Sequence, residues 1–389
     1  MKCIAILLSL SLLTGCASVQ PPSAPLPPFA DAHFAPPSEP VGARDLFTLS
    51  PAMLSYLNSQ SFHRHLRQSG LRRGLVDALY SKTDLKLEYE SSKTRTAAET
   101  YADRTGNCLS LVIMTAAFAK ELRMPVRFRS VDIGNAWSRE ADLYLGSAHV
   151  NVAIGEPVDN GFRDNGLHEF LVVDFIPQNE AERLRIRELD EDDIVALYMN
   201  NRAAEMMVQN RLDDAYWWAR AAVDKRPGLI AALNTLGVIY NRHGELALAE
   251  QTYRAALLRE PENVMVMRNL QPVLATLGKH AEAQALAQRI ASIEPFPPYY
   301  HFDQGMLALR AGDFDKARRL FERELKRAPY NDEFLFWLGV THLRLGDVQH
   351  AREQIAKAVD NSTRQETRQL YSAKLAQLRR VSATGTHIR

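Results

Sequence analysis

Cysteine is scarce in this chain: three occur in 389 residues, at positions 3, 16 and 108. So few cannot build a disulfide framework, whatever the redox compartment. Charge of one sign is also missing, with 47 Lys and Arg against 46 Asp and Glu, a formal net charge of +1. A balance that close gives no electrostatic footprint for nucleic acid. Long apolar runs are absent as well, since the stretch from Ile4 to Leu13 is interrupted by Ser9 and Ser11 and falls well short of the roughly 20 residues that span a bilayer. Cys108, His149 and His168 lack the paired short spacings of a zinc site, and no cofactor is expected. What remains is 46% hydrophobic and 24% charged, a globular composition with enough chain for two domains.

The first segment decides the compartment. Met1-Lys2 gives a positive start, the short apolar stretch follows, and Thr14-Gly15 are small residues ahead of Cys16. This is the layout of a secretory leader. Leu13-Thr14-Gly15-Cys16 resembles the lipobox of bacterial lipoproteins, which implies removal of residues 1–15 as a signal peptide and acyl chains such as palmitate on Cys16. An ordinary leader with a chance cysteine is the alternative. Ala17 and Ser18, with no Asp after the cysteine, imply the outer membrane facing the periplasm. Residues 16–42 then read as a lipid-anchored tether, because eight prolines lie between positions 21 and 40 and favour an extended chain. Processing leaves Cys108 as the one free thiol.

The second half is marked by its period. Pro227, Pro261, Pro295 and Pro329 stand 34 residues apart, the repeat length of tetratricopeptide arrays. Leu236-Gly237, Tyr240, Ala249, Tyr253, Ala256 and Pro261 fall at the spacing by which such repeats pack helix A on helix B. Ala283, Ala287 and Pro295, then Gly305, Ala317, Phe321 and Pro329, then Leu338-Gly339, Ala351 and Ala358 continue it. The pattern predicts an all-α tetratricopeptide solenoid over residues 190–380, with five helical hairpins from Ile194 to Ser362, a capping helix from Gln365 to Leu378 and a tail over 381–389. Such a surface recruits a protein or peptide partner. Trp217-Trp218, Tyr299-Tyr300 and Trp337 are candidate groove anchors, although aromatics at helical spacing more often fill a core.

Residues 43–185 have a mixed pattern. Ala43 to Lys82 reads as helical, Thr96 to Ala102 as a short helix, and Arg104-Thr105-Gly106-Asn107 as a break. Leu109, Val112, Ile113, Ala116, Ala117 and Ala119 then predict a buried helix from Cys108 to Leu122. Val126 to Val131, His149 to Ile154 and Glu169 to Phe175 alternate like strands. The order is that of an α+β domain.

On that plan Cys108 opens the central helix, where unpaired amides and the helix dipole favour a thiolate. His149 starts one strand and Asp174 ends the next, so an antiparallel turn brings them together. A carboxylate beside Val172, Val173 and Phe175 needs a partner, which an imidazole supplies. Cys, His and Asp in these positions form a nucleophile, its base and the group orienting that base. His168 competes for the base's role.

From Thr96 to Phe128, with Arg-Thr-Gly-Asn-Cys and the Leu122-Arg123-Met124-Pro125-Val126 finish, the chain resembles the transglutaminase-like superfamily of papain-like cysteine enzymes. The resemblance covers roughly Leu85 to Pro177. It implies Cys108 as nucleophile, His149 as general base and acid, and Asp174 as orienter. The chain departs from the common form after the histidine, where His149-Val150-Asn151-Val152 replaces a Trp and an acidic residue, and this puts the substrate class in doubt. Oxyanion donors are the Cys108 amide and a second group the sequence does not identify. The expected function is an envelope-anchored cysteine hydrolase, peptidase or amidase, working through a thioester. The alternatives are a non-catalytic tetratricopeptide scaffold lipoprotein for envelope assembly and an amine-transferring crosslinker.

Overall fold

The computed structural model describes residues 29–80, 85, 87–132, 137–140, 143–146, 149–156, 170–174 and 185–384. The expected leader, Cys16 and His168 lie outside them. Among the described residues no helix is long and apolar enough to cross a membrane.

Two helices open the chain, α1 (Pro51–Leu57) and α2 (Gln60–Tyr80), the second broken at Gly70, where φ is 78°. A two-residue strand β1 (Glu88–Tyr89) precedes α3 (Ala97–Asp103), β2 (Thr105–Gly106) and α4 (Cys108–Glu121). Residues 108 to 119 of α4 are all buried, as the continuous apolar run predicts. Three strands follow as β3 (Val126–Asp132), β4 (Trp137–Glu140) and β5 (Leu143–Gly146), then β6 (His149–Ile154), β7 (Leu171–Val173) and β8 (Arg185–Leu189). The main sheet is antiparallel in the order β7-β6-β3-β8, and α4 packs against β6. The pairing of β8 with β3 and the β4-β5 hairpin have no counterpart in the three strands expected from alternation.

From Glu191 the chain is helical. Five hairpins follow one another: α5 (Glu191–Val208) with α6 (Leu212–Lys225), α7 (Ile230–His243) with α8 (Leu246–Arg259), α9 (Val264–Thr276) with α10 (His280–Ile293), α11 (Tyr300–Arg310) with α12 (Phe314–Arg327), and α13 (Asp332–Arg344) with α14 (Val348–Asn361). The capping helix is α15 (Gln365–Thr384). Both turns of each unit are set by backbone chemistry. Gly244, Gly278, Gly312 and Gly346, again 34 apart, end the A helices with φ between 77° and 90°, a conformation that glycine adopts without a Cβ penalty. In the first hairpin Asn210 takes the same place with φ 59°. Arg226, Glu260, Glu294 and Ala328 leave the B helices with ψ of 84°, 83°, 84° and 75°, because each precedes one of the in-phase prolines.

The hairpins are not equally packed. Tyr253, Phe321 and Ile355 are fully buried where helices A and B meet, but Ala287 occupies that repeat position in the third hairpin and is exposed. One buried core runs from Phe34 through the sheet and the first hairpins to Ala283. A separate core starts at Tyr299, beyond Pro295-Phe296-Pro297-Pro298. Among the candidate anchors, Trp218 and Tyr299 are core residues, whereas Tyr300 is 41% exposed.

The expected tether is corrected from Phe29 onward. Residues 31–33 form a short 3-10 turn, and Phe34 stacks on Tyr216 with centroids 3.8 Å apart. Asp31 accepts hydrogen bonds from Tyr216 Oη and Arg220 Nε at 2.5 and 2.8 Å, Ser38 N donates to Asp214 at 2.7 Å, and Trp217 Nε1 donates to Ala35 O at 2.6 Å. The prolines keep this strap extended, and an extended backbone exposes the groups that α6 and α7 bind.

The tightest test of the repeat packing is Gly237, where an added Cβ falls 2.5 Å from the Tyr253 ring. Gly237→Ala is expected to destabilise the chain by about 1–3 kcal/mol through overpacking, read as a lower urea midpoint. The same change at Gly228, where a Cβ meets nothing within 4 Å, is expected to shift it far less.

Candidate functional site

Three local constraints place Cys108. Helix α3 ends on Arg104 in the left-handed conformation, φ 59°, with its guanidinium over the Tyr101 ring at 4.2 Å. Gly106 lets the chain pass close to α4, because a Cβ there would lie 2.8 Å from Ser110 Cβ and 3.2 Å from Thr100 Cγ2. Asn107 caps α4 by accepting from the Ser110 amide and hydroxyl, both at 2.9 Å. Its Nδ2 donates to Thr94 Oγ1 at 2.8 Å, and Thr94 N donates to Glu205 on α5 at 2.6 Å. Cys108 is therefore the first residue of a 14-residue helix, at its positive end. It is 8% exposed and reduced.

On the sheet side, β6 and β7 pair with Ala153 opposite Val172, so His149 and Asp174 lie on one face within diagonal reach. His149 Nε2 meets Asp174 Oδ1 at 2.7 Å, and Asn151 Nδ2 donates to Asp174 Oδ2 at 3.4 Å. The other ring nitrogen, Nδ1, is buried without a conventional hydrogen bond. The Cys108 thiol is a near neighbour of this ring and acts on its charge. Burial alone would depress the His149 pKa; the Asp174 bond and the neighbouring Cys108 outweigh it and hold the imidazole up at about 9. All three predicted residues thus meet at one place.

A fourth residue meets them. β1 runs parallel to β2 with Tyr89 opposite Gly106, and the half-buried Tyr89 phenol lies beside Cys108. Burial first, then the sulfur, pushes the phenol pKa well up, so the hydroxyl keeps its proton. Asn107 and Asn151 carried readable signals, a cap three residues before Ser110 and a strand face shared with His149. Nothing in the spacing marks Tyr89.

Ligand-type side chains gather at one other place among the described residues. His342, Asp347 and His350 bring donor atoms within 4.8 Å of one another at the turn of the fifth hairpin. Asp347 is already engaged there, capping α14 through His350 N at 3.2 Å and bonding His350 Nδ1 at 2.7 Å.

The His149 pair gives stability a defined pH dependence. Its folded pKa of about 9 exceeds the unfolded value of roughly 6.5, so its contribution is full below that value and lost as pH rises through 9. The stability gap between the unmodified chain and His149→Gln is expected to shrink by roughly 1–3 kcal/mol between pH 6 and 9.5. Urea unfolding across that range measures it, and a flat difference would sink this placement of the proton.

Comparison with known proteins finds helical repeat proteins. Residues 302–366 match the tetratricopeptide repeat family. A protein described as a STIP1 homolog, from Dictyostelium discoideum, is 28% identical over 149 residues, 36% of this chain and 25% of that protein. A TPR repeat-containing protein of Pseudomonas aeruginosa is 26% identical over 152 residues, 38% of this chain and 25% of that protein. The chain spans about a quarter of the length of these curated relatives. Among solved structures, YrrB, described as a TPR protein with an unusual peptide-binding site, is 22% identical, covering 46% of this chain and 92% of its own at a TM-score of 0.25. A thermophilic TPR protein of Thermus thermophilus, TTC0263, is 19% identical, covering 46% of this chain and 99% of its own at 0.28. The match to the tetratricopeptide repeat family covers the fourth and fifth hairpins, and the second and third hairpins carry turn glycines and closing prolines at the same 34-residue period.

Proposed function

We propose that this chain is a docking protein whose repeat array binds a protein or peptide partner and whose α+β part serves as a scaffold in the same assembly. The observation that carries this is the array itself: hairpins in strict period, matched to the tetratricopeptide family over residues 302–366, a construction that presents extended binding surface. Lipidation of Cys16 and attachment to the outer membrane belong to the same proposal, resting on the lipobox resemblance alone.

One observation favours a second reading, a transglutaminase-like cysteine hydrolase recruited to its substrate by the array. It is the buried His149, held toward its charged form by Asp174 and lying near a cysteine at a helix start. In that chemistry Cys108 Sγ attacks an acyl carbon while its proton resides on His149. The Cys108 amide donates to the resulting oxyanion. His149 then protonates the departing amine as the carbon–nitrogen bond breaks, leaving a thioester. Water attacks the thioester, gives its proton to His149 and releases the acid, and the sulfur is restored. An amine in place of that water would make the product a crosslink.

Alkylation of Cys108 by iodoacetamide, followed by mass spectrometry from pH 5.5 to 9.5, separates the two. The hydrolase reading expects labelling that persists well below the ordinary thiol range of about 8.5 and drops at least about tenfold in His149→Ala. Labelling that titrates like a free thiol and ignores His149 leaves the scaffold reading, which further expects Cys108→Ser to retain the unmodified chain's partner.

A further inference from the structure

Cys108 is too buried to receive an acyl group without movement, and among the described residues Tyr89 lies beside it. Paired opposite Gly106, Tyr89 stands beside the Cys108 amide, the donor that would receive a substrate oxyanion. The strand that carries it is held from within by two residues of pairing to β2, by Glu90 N donating to Gly106 O at 3.1 Å, and by Leu85 and Leu87 just before it, which pack in the main core. Its outer bonds go to the far end of the array. Arg368 Nη2 donates to Tyr89 O at 3.3 Å, Gln365 N donates to Glu90 Oε2 at 3.0 Å, and Ser91 N donates to Thr363 O at 3.0 Å. Three residues on, Thr94 is bonded to Glu205 of the first hairpin. Residues 89–94 thus join the two ends of the array.

Between those ends the array has a seam. The main buried core stops at Ala283 and the next begins at Tyr299. The connector Glu294-Pro295-Phe296-Pro297-Pro298 is held by Arg327, which donates to Glu294, Phe296 O and Pro297 O at 3.3, 2.9 and 3.1 Å. Polar bonds of this kind can be exchanged for others when two packed bodies turn, whereas a continuous apolar core resists it.

We propose that Tyr89 is a positioning residue that closes the Cys108 site, and that α11–α15 are the latch that holds it there. Turning of this body about residues 294–298 withdraws β1 with Tyr89 and frees both the thiol and the Cys108 amide for an acyl substrate. The acyl step rests on the hydrolase reading; the control of access to the thiol does not.

The test measures the second-order rate of Cys108 alkylation by iodoacetamide in the full chain at fixed pH. Arg368→Ala is expected to raise it about three- to tenfold, as the loss of one or two ordinary hydrogen bonds allows, and Arg368→Lys to restore part of the closure. Glu90→Ala cuts the same tie without touching α15 and is expected to act in the same direction. In a Tyr89→Phe background the effect of Arg368→Ala is expected to shrink, because both changes open one lid. Rates within a factor of about two of the unmodified chain for both Arg368→Ala and Glu90→Ala, at unchanged thermal midpoint, would overturn the latch, as would full additivity with Tyr89→Phe. His149→Ala is the separate arm: if it leaves labelling unchanged while Arg368→Ala speeds it, the latch stands over an unactivated thiol and only the hydrolase reading fails.

Discussion

The side chain of Asn107 is the joint on which the arrangement depends. Its oxygen caps the helix that begins with Cys108, and its nitrogen reaches Thr94, whose amide proton goes to Glu205 on the first helix of the array. Burial pushes the Glu205 carboxyl pKa up, and Arg202, bonded to it at 2.6 Å, works the other way. A lost cap costs about 1 kcal/mol. Here the cost is compounded, because Thr94 and Ser110 are buried and would lose partners as well. The thiol is therefore located by polar bonds that reach into the array, in addition to the packing of its own helix.

This explains why the two halves do not behave as beads on a string. Their shared core runs from Phe34 in the strap, through α4 and the sheet, into the third hairpin. Prolines that would serve a free tether instead hold the strap extended against α6 and α7, where Phe34 fills a gap beside Tyr216, Tyr240 and His243. The chain itself occupies that seam. Beyond Ala283 the packing changes character: small Ala287 in place of a large seam residue, the prolines after Glu294, and Arg327 bonding across the break. A stack of repeats transmits force only through neighbouring contacts, and here the buried apolar contacts are interrupted between α10 and α11.

Much of this was open to reading from the residues in order. The 34-residue period was legible because each hairpin solves the same packing problem with the same small and large residues. The Cys108 helix was legible from an apolar run too long for a strand and from the glycine and asparagine before it. The pairing of His149 with Asp174 followed from strand alternation, since two faces and one turn leave few ways to place a polar residue among valines. These are local periodicities, and local sequence determines which side of an element is buried.

Which buried sides meet was decided by the tertiary structure. β8 returns to lie beside β3, the strap docks on helices more than 170 residues away, and Ser91 bonds Thr363 across 272 residues. β1, which brings Tyr89 beside Cys108, is bonded on one edge to β2 and on the other to the far end of the array. No short spacing encodes such contacts, because their partners lie far apart in the chain, and the bond from Ser91 to Thr363 spans all five hairpins. The sequence alone determined an array, a buried helix beginning with a thiol, and a histidine–carboxylate pair; the closed tertiary structure decided that these share one site and what covers it.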